Sequence, residues 1–245
     1  MKRIIVLFCM CSLLVSSVAI AAVKTPTITG STGLIKMPTG DVLSSKDWNM
    51  GLDYVFDAPA ATTPGLSDLS GTWVYKMNVG SFVGTTKGLE LGFVGRTEKT
   101  TSRLKEGVFI NMKYSLASSD DPDALHLAIG VENLTSSSES DAYMVASKYF
   151  TNGVGIHFGA MFDFPSTSKM RTLAMLGTNI PVGSPDLSVM AEAFSGESIF
   201  QLDAGLRYCL GKNYALLLRG MNVTNSDTSR NSRSYSLGIS ANNLF

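Results

Sequence analysis

Period-two alternation that begins at Trp48 and runs nearly to Phe245 predicts an all-β chain, an antiparallel transmembrane β-barrel of about 12 strands. Two further observations point the same way. Aromatic residues gather at both ends of most alternating runs, and the last run, Tyr235 to Phe245, closes on a terminal aromatic. In that run Tyr235, Leu237, Ile239, Ala241 and Phe245 share one side, and Ser236, Gly238, Ser240 and Asn242 share the other. A strand of this kind closes a barrel by pairing with the first strand, which removes both sheet edges. The edge strand of a secreted β-sandwich alternates too, so the other elements must decide between the two.

Taken in order, the chain opens with Met1-Lys-Arg, a mostly apolar run from Ile4 to Ala19 and the small-x-small site Ala19-Ile-Ala21. Residues 1–21 therefore read as a secretory signal peptide. Cys9 and Cys11 fall inside it, so the exported chain keeps Cys209 alone and has no internal disulfide to rely on. Roughly 220 residues remain, enough for one all-β domain. The formal net charge is +0, which suggests no nucleic-acid partner and no polybasic membrane-surface mode. Beyond the signal no apolar run approaches the ~18 residues that a spanning helix needs, so a membrane crossing would fall to strands.

Residues 22–47 form a pre-barrel segment rich in Thr, Ser and Gly, without a clear period. It is expected either as a plug in the lumen or at the periplasmic rim. The barrel proper is 48–245. Its first strand sets Trp48, Met50, Leu52, Tyr54 and Phe56 against Asn49, Gly51, Asp53 and Val55. The following runs place Trp73, Tyr75 and Met77 against Lys76 and Asn78, and Leu89, Leu91 and Phe93 against Glu90, Gly92 and Arg96. Next come Val108 to Leu116 against Asn111 and Lys113, and Leu125 to Val131 against His126 and Glu132. The sixth run sets Tyr143, Val145 and Tyr149 against Lys148, and the seventh sets Ile156, Phe158 and Phe162 against His157. Met170 to Thr178 is apolar on both sides, and its faces stay open. Leu187 to Ala193 opposes Glu192, Phe200 to Leu210 opposes Asp203 and Arg207, and Tyr214 to Leu218 opposes Arg219.

An even strand count places both termini on one side, the periplasmic one if the turns there are short. Thr151-Asn-Gly153 and Gly211-Lys-Asn213 are short Asn/Gly turns on that side, whereas Val79–Gly88, Ser118–Asp123 and Ile180–Asp186 are long for it. With this topology the aromatics form two girdles. Trp48, Tyr114, Tyr149, Tyr208, Tyr214 and Phe245 lie at one end, and Tyr54, Tyr143 and Tyr235 with Phe56, Phe162 and Phe200 lie at the other. A soluble sandwich gives no reason for that double collection.

The opposite face supplies a lumen. Its candidate lining is Asp53, Lys76, Glu90, Arg96, Lys113, His126, Glu132, Lys148, His157, Glu192, Asp203, Arg207 and Arg219, with both signs in similar number. Cross-strand ion pairs are expected, Glu132 with Lys148 and Asp203 with Arg219. Eight strands enclose an interior that side chains fill and sixteen leave an open channel, so twelve predict a narrow or plugged one. A barrel hydrolase needs a serine beside its histidine. His126 and His157 are followed two residues on by Ala128 and Gly159, so neither has that serine on its own strand. No spacing suggests a metal or cofactor. The expectation is a non-enzymatic barrel of the bacterial outer membrane that meets lipid on its outside and engages the barrel-assembly machinery through its C-terminal strand.

Thr32-Gly-Leu-Ile-Lys-Met-Pro-Thr-Gly40, Gly88-Leu-Glu-Leu-Gly-Phe93, Asn111-Met-Lys-Tyr114 and Leu127-Ala-Ile-Gly-Val-Glu-Asn133 together resemble the YjbH-like family of outer-membrane proteins. The resemblance covers the first half of the exported chain. It implies an outer-membrane role in exopolysaccharide production or export, with polysaccharide as a partner. The alternative is a passive porin for small solutes.

Overall fold

The computed structural model describes residues 24–57, 71–81, 88–97, 104–117, 124–136, 139–165, 169–196, 199–224 and 233–243. The expected signal peptide and Phe245 lie outside them. Twelve antiparallel strands close into a barrel. They are β1 (Trp48–Asp57), β2 (Gly71–Gly80), β3 (Leu89–Thr97), β4 (Leu104–Ala117), β5 (Leu125–Glu132), β6 (Glu139–Tyr149), β7 (Gly155–Pro165), β8 (Arg171–Val182), β9 (Ser184–Gly196), β10 (Ile199–Leu210), β11 (Tyr214–Met221) and β12 (Ser234–Asn242). Each strand pairs with its sequence neighbours. β12 then pairs with β1 from Asn242 opposite Asn49 to Ser234 opposite Asp57, so the ring has no edge.

The alternation sorts side chains as a lipid-facing barrel requires. Leu237, Leu218 and Ile129 on the outer face are 57%, 46% and 40% exposed, while inward neighbours Ser236, Arg219 and Ala128 are each 0% exposed. A dry sandwich would show the reverse. On β8, whose faces the sequence left open, Leu173, Met175, Gly177 and Asn179 point inward, and Thr172, Ala174 and Leu176 point outward.

On β6 the expected faces are exchanged. Tyr143, Val145, Ser147 and Tyr149 turn inward, while Met144, Lys148 and Phe150 turn outward. The register explains the exchange, because Ser147 lies opposite both His126 and His157, whose strands are already fixed. Lys148 therefore leaves the predicted lumen set, and Glu132 has no Lys148 to pair with across the wall. At the end of its strand the Lys148 stem can lie along the apolar surface with its ammonium at the polar boundary. Tyr143 and Tyr149 likewise leave the predicted girdles.

Among the described residues three turns at the N-terminal end of the barrel are tight, while the long turns expected at Val79–Gly88 and Ser118–Asp123 lie largely outside the described residues. Gly153 and Gly211 take positive φ of 80° and 69°. Gly183 alone, at φ 67°, joins β8 to β9, because both strands extend into what the sequence suggested was a long turn.

The pre-barrel segment settles the other open question. Residues 24–43 lie inside the barrel, with Leu34, Ile35 and Met37 at 2%, 0% and 0% exposure. Bridges between Pro26 and Thr32 and between Gly33 and Pro38 fold the segment on itself. Gly30 sits at φ 116°, where a Cβ would stand 2.1 Å from Val94 Cγ2, so only glycine passes this close to β3.

Candidate functional site

The site is the lumen with its occupant. Of the thirteen residues predicted to line it, Asp53, Lys76, Glu90, Arg96, Lys113, His126, Glu132, His157, Glu192, Asp203, Arg207 and Arg219 point inward. Five of them, Lys76, Glu90, Lys113, Glu192 and Arg219, bond the main chain of residues 24–43, which helps to make burying charge here tolerable.

Two carboxylates take its amides. Glu192 on β9 accepts from three successive N–H groups, those of Ile35 (3.0 Å), Lys36 (2.6 Å) and Met37 (3.1 Å). Successive amides converging on one anion form a nest. Glu90 on β3 accepts from the Thr32 amide (2.9 Å), the Thr32 hydroxyl (2.8 Å) and the Leu43 amide (3.0 Å). In a ring of twelve, β3 and β9 are six strands apart in either direction, so the segment spans the lumen between opposite walls.

Cations and amides of the wall take its carbonyls. Arg219 donates to Pro26 O (2.7 Å), Lys76 to Thr27 O (2.9 Å) and Lys113 to Thr32 O (2.9 Å). Asn49, Asn111 and Asn78 donate to the carbonyls of Lys24, Thr29 and Gly30 at 2.9, 2.8 and 2.6 Å. The wall thus grips mainly the backbone, with Thr32 and Asp41 held by their side chains as well, and the segment's apolar side chains fill space. Leu34 and Ile35 pack with Met190, Leu217 and Met221, while Met37 packs with Tyr143, Val145, Met161, Leu173, Met175 and Phe194.

Asp53 binds both Lys76 and Arg219, the latter at 2.5 Å, and all three side chains are fully buried. The expected Asp203–Arg219 pair does not form. Asp203 instead accepts from Gln201 and from the Asn222 amide. Arg219 reaches Asp53 across β12 because Gly238 lies between them, and a Cβ there would stand 2.1 Å from Asp53 Oδ1.

Both histidines of the chain serve one corner, residues 39–41. His126 Nδ1 lies 3.2 Å from Asp41, which also accepts from the Tyr149 hydroxyl. Ser147 Oγ accepts from the Gly40 amide (2.7 Å) and bonds His157 Nδ1 (2.7 Å), and His157 Nε2 bonds Asn179 Oδ1 (3.0 Å). A serine does stand beside a histidine, then, on the neighbouring strand and not two residues along. Ser147 and His157 are both 0% exposed, and the hydroxyl is occupied in holding Gly40. Beside this corner a cavity of about 30 Å³, room for roughly one water, is lined by Lys24, Thr39, Asp41, Tyr149, Asn179 and Arg207 among others.

The uncharged grips Asn49, Asn78, Asn111 and Ser147, and Asn179 behind His157, were not among the predicted site residues. Asn49, Asn78 and Asn111 sit at the parity assigned inward, so there the alternation carried the signal and the weight given to charge hid it; Ser147 lies on the exchanged β6 and Asn179 on β8, where the alternation did not reveal the face. On the outside, Tyr114, Tyr208 and Tyr214 are exposed near the short-turn end. Tyr54 stacks with Trp73 at 4.9 Å between centroids, and Phe56 lies 6.0 Å from Tyr235 at the other end. Six of the nine predicted girdle residues therefore lie on the outer face.

No protein-family model matches this chain, and no curated protein matches it. Among solved structures it is similar to the KdgM porin, with a TM-score of 0.55 and 11% identity over 79% of this chain and 98% of that one. It is also similar to the NanC porin, with a TM-score of 0.52 and 11% identity over 78% of this chain and 98% of that one. KdgM has also been solved in complex with disordered oligogalacturonate, and that structure matches with a TM-score of 0.50 and 12% identity over 78% of this chain and 98% of that one. At these identities the likeness is one of fold: this chain has the closed, twelve-stranded antiparallel barrel of those porins.

Proposed function

We propose that this chain is a bacterial outer-membrane barrel without enzymatic activity, a porin-type pore that its own residues 24–43 hold shut. The observation that carries the reading is the grip of Glu90 and Glu192, from opposite walls, on the backbone of one segment. An open diffusion pore needs a free lumen, and here five of the inward charges, Lys76, Glu90, Lys113, Glu192 and Arg219, are bound to an occupant. The outward apolar face and the shared porin fold support the outer-membrane location. A catalytic reading of Ser147 and His157 is disfavoured, because their hydroxyl and ring serve the occupant's corner and face no open cleft.

Planar-bilayer recording tests this. The purified full chain is expected to be silent, and the E90Q/E192Q variant to conduct. A folded double variant that stays silent would overturn the pore reading. A second reading starts from Thr32–Gly40, one of the four stretches that carry the YjbH-like resemblance, which lies across the lumen. It proposes a role in exopolysaccharide production or export. Loss of the gene should then lower surface polysaccharide, and restoring the wild-type gene should bring it back. Unchanged polysaccharide would leave the shut pore alone.

A further inference from the structure

The contacts on residues 24–43 are unevenly distributed. Residues 24–32 are held along a continuous arc of wall, β11 through β12 and β1 to β4, by Arg219, Asn49, Lys76, Asn78, Asn111 and Lys113, with six carbonyls engaged. Residues 34–41 meet few polar wall groups. Among the described residues these are chiefly Glu192 on the amides of 35–37, Ser147 on Gly40, His126 on Asp41, and Tyr149 on Asp41 and Thr39. Thr32 and Leu43, which bracket this stretch, are both bound by the one carboxylate of Glu90.

Resting on the shut-pore reading, we propose that residues 33–42 are a flap hinged at Glu90 and latched at Glu192, with residues 24–32 a fixed lining. The two carboxylates use the same hydrogen-bonding chemistry for different tasks. Glu90 fixes both ends of the loop at one point, so its extent is set whether the loop lies down or lifts. Glu192 holds only the middle, on the far wall. Lifting the flap works against three main-chain bonds to the lining, Ile28 N to Ile35 O (2.7 Å), Gly33 N to Thr25 O (3.0 Å) and Thr39 N to Thr32 O (3.2 Å), and against the bonds of Lys24 Nζ to Val42 O (2.6 Å) and Thr32 Oγ1 to Asp41 O (3.3 Å), while the carbonyl grips of the arc stay intact. It uncovers the lumen beside β5 to β10, where Gly177 and Gly205 leave the wall low. The lining stays in place, so the opening is partial.

Two variants release the latch by different means. E192Q removes the anion around which three amides converge, and because those amides divide between both carboxylate oxygens, the carboxamide NH2 must meet at least one of them donor to donor. G177L keeps Glu192 but drives a side chain into the flap, since a Cβ at Gly177 would already stand 2.7 Å from Leu34 Cδ1 and 3.0 Å from Met37 Sδ. Both are expected to conduct in planar bilayers at a level below that of E90Q/E192Q, while E90Q alone stays silent because the latch still holds. A second readout needs no current. In a Cys209→Ser background, Met37→Cys should react with a charged, water-soluble thiol reagent about tenfold faster when E192Q is added, as a population shift of one decade requires, and no faster when E90Q is added. Heat-modifiable migration checks that each variant is folded. Folded E192Q and G177L that remain silent and unlabelled while E90Q/E192Q conducts would overturn the flap and leave the shut pore standing. Opening by E90Q alone would overturn the hinge assignment. Silence of all of them would overturn the shut pore itself.

Discussion

Asp53 is the residue on which most depends. It is fully buried and neutralises two fully buried cations, Lys76 and Arg219, each of which also donates to a carbonyl of the occupant. Asp53→Asn would leave those cations facing each other without an anion, and removing one member of a buried ionic group costs about 3–5 kcal/mol. The variant barrel is expected to convert to its unfolded band at lower temperature and lower urea than wild type. An unchanged transition would mean that water reaches the trio. The trio could not be read from adjacency in the chain. Sequence neighbours suggested Asp203 for Arg219, but side-chain reach, and the gap left by Gly238, join residues two strands apart. Gly238→Ala should destabilise in the same direction, since its Cβ would sit 2.1 Å from Asp53 Oδ1.

Among the strands, β6 shows where period two is insufficient. Its alternation was visible, yet which set faces lipid depended on whether Tyr143, Val145 and Tyr149 were more apolar than Met144, Ala146 and Phe150, and both sets are apolar. The lumen here holds Met37, so an inward wall of Tyr143, Val145, Met161 and Met175 is packed against a neighbour and not exposed to water. Composition alone cannot distinguish a side chain buried in lipid from one buried against a plug. Substitutions can. Ile129→Arg, on the outer face of β5, should cost about 2–4 kcal/mol as a cation placed toward the bilayer centre. Lys148→Gln, at the strand end, should change stability by no more than about 0.5 kcal/mol. Urea titration in lipid vesicles checks both, and equal effects would argue against the assigned faces.

For the molecule as a whole, the reading requires a closed barrel that partitions with the outer membrane. Fractionated cells should yield the protein in the outer-membrane fraction, with a folded band that migrates faster than the boiled one. A protein found in the soluble periplasm would contradict the outward face of Leu237, Ile239 and Leu218. The near-zero net charge also has a molecular meaning. Acids and bases line the wall in similar number, and both signs find partners on the occupant, Glu90 and Glu192 at its amides and Lys76, Lys113 and Arg219 at its carbonyls.

The sequence by itself determined the strands, their number and nearly all their faces. A two-residue repeat is a local property of an extended chain, and one apolar side must avoid water whichever solvent covers it. Twelve of the thirteen ionic residues that it assigned to the lumen point inward. What lay outside local reach was the content of that lumen. Residues 24–43 show no period because they form no strand of the wall, and their place follows from amides and carbonyls that every peptide carries. Only closure of the ring brought Glu90, Glu192 and Arg219 around those groups, so the plug, the Asp53 trio and the turned face of β6 were decided in three dimensions.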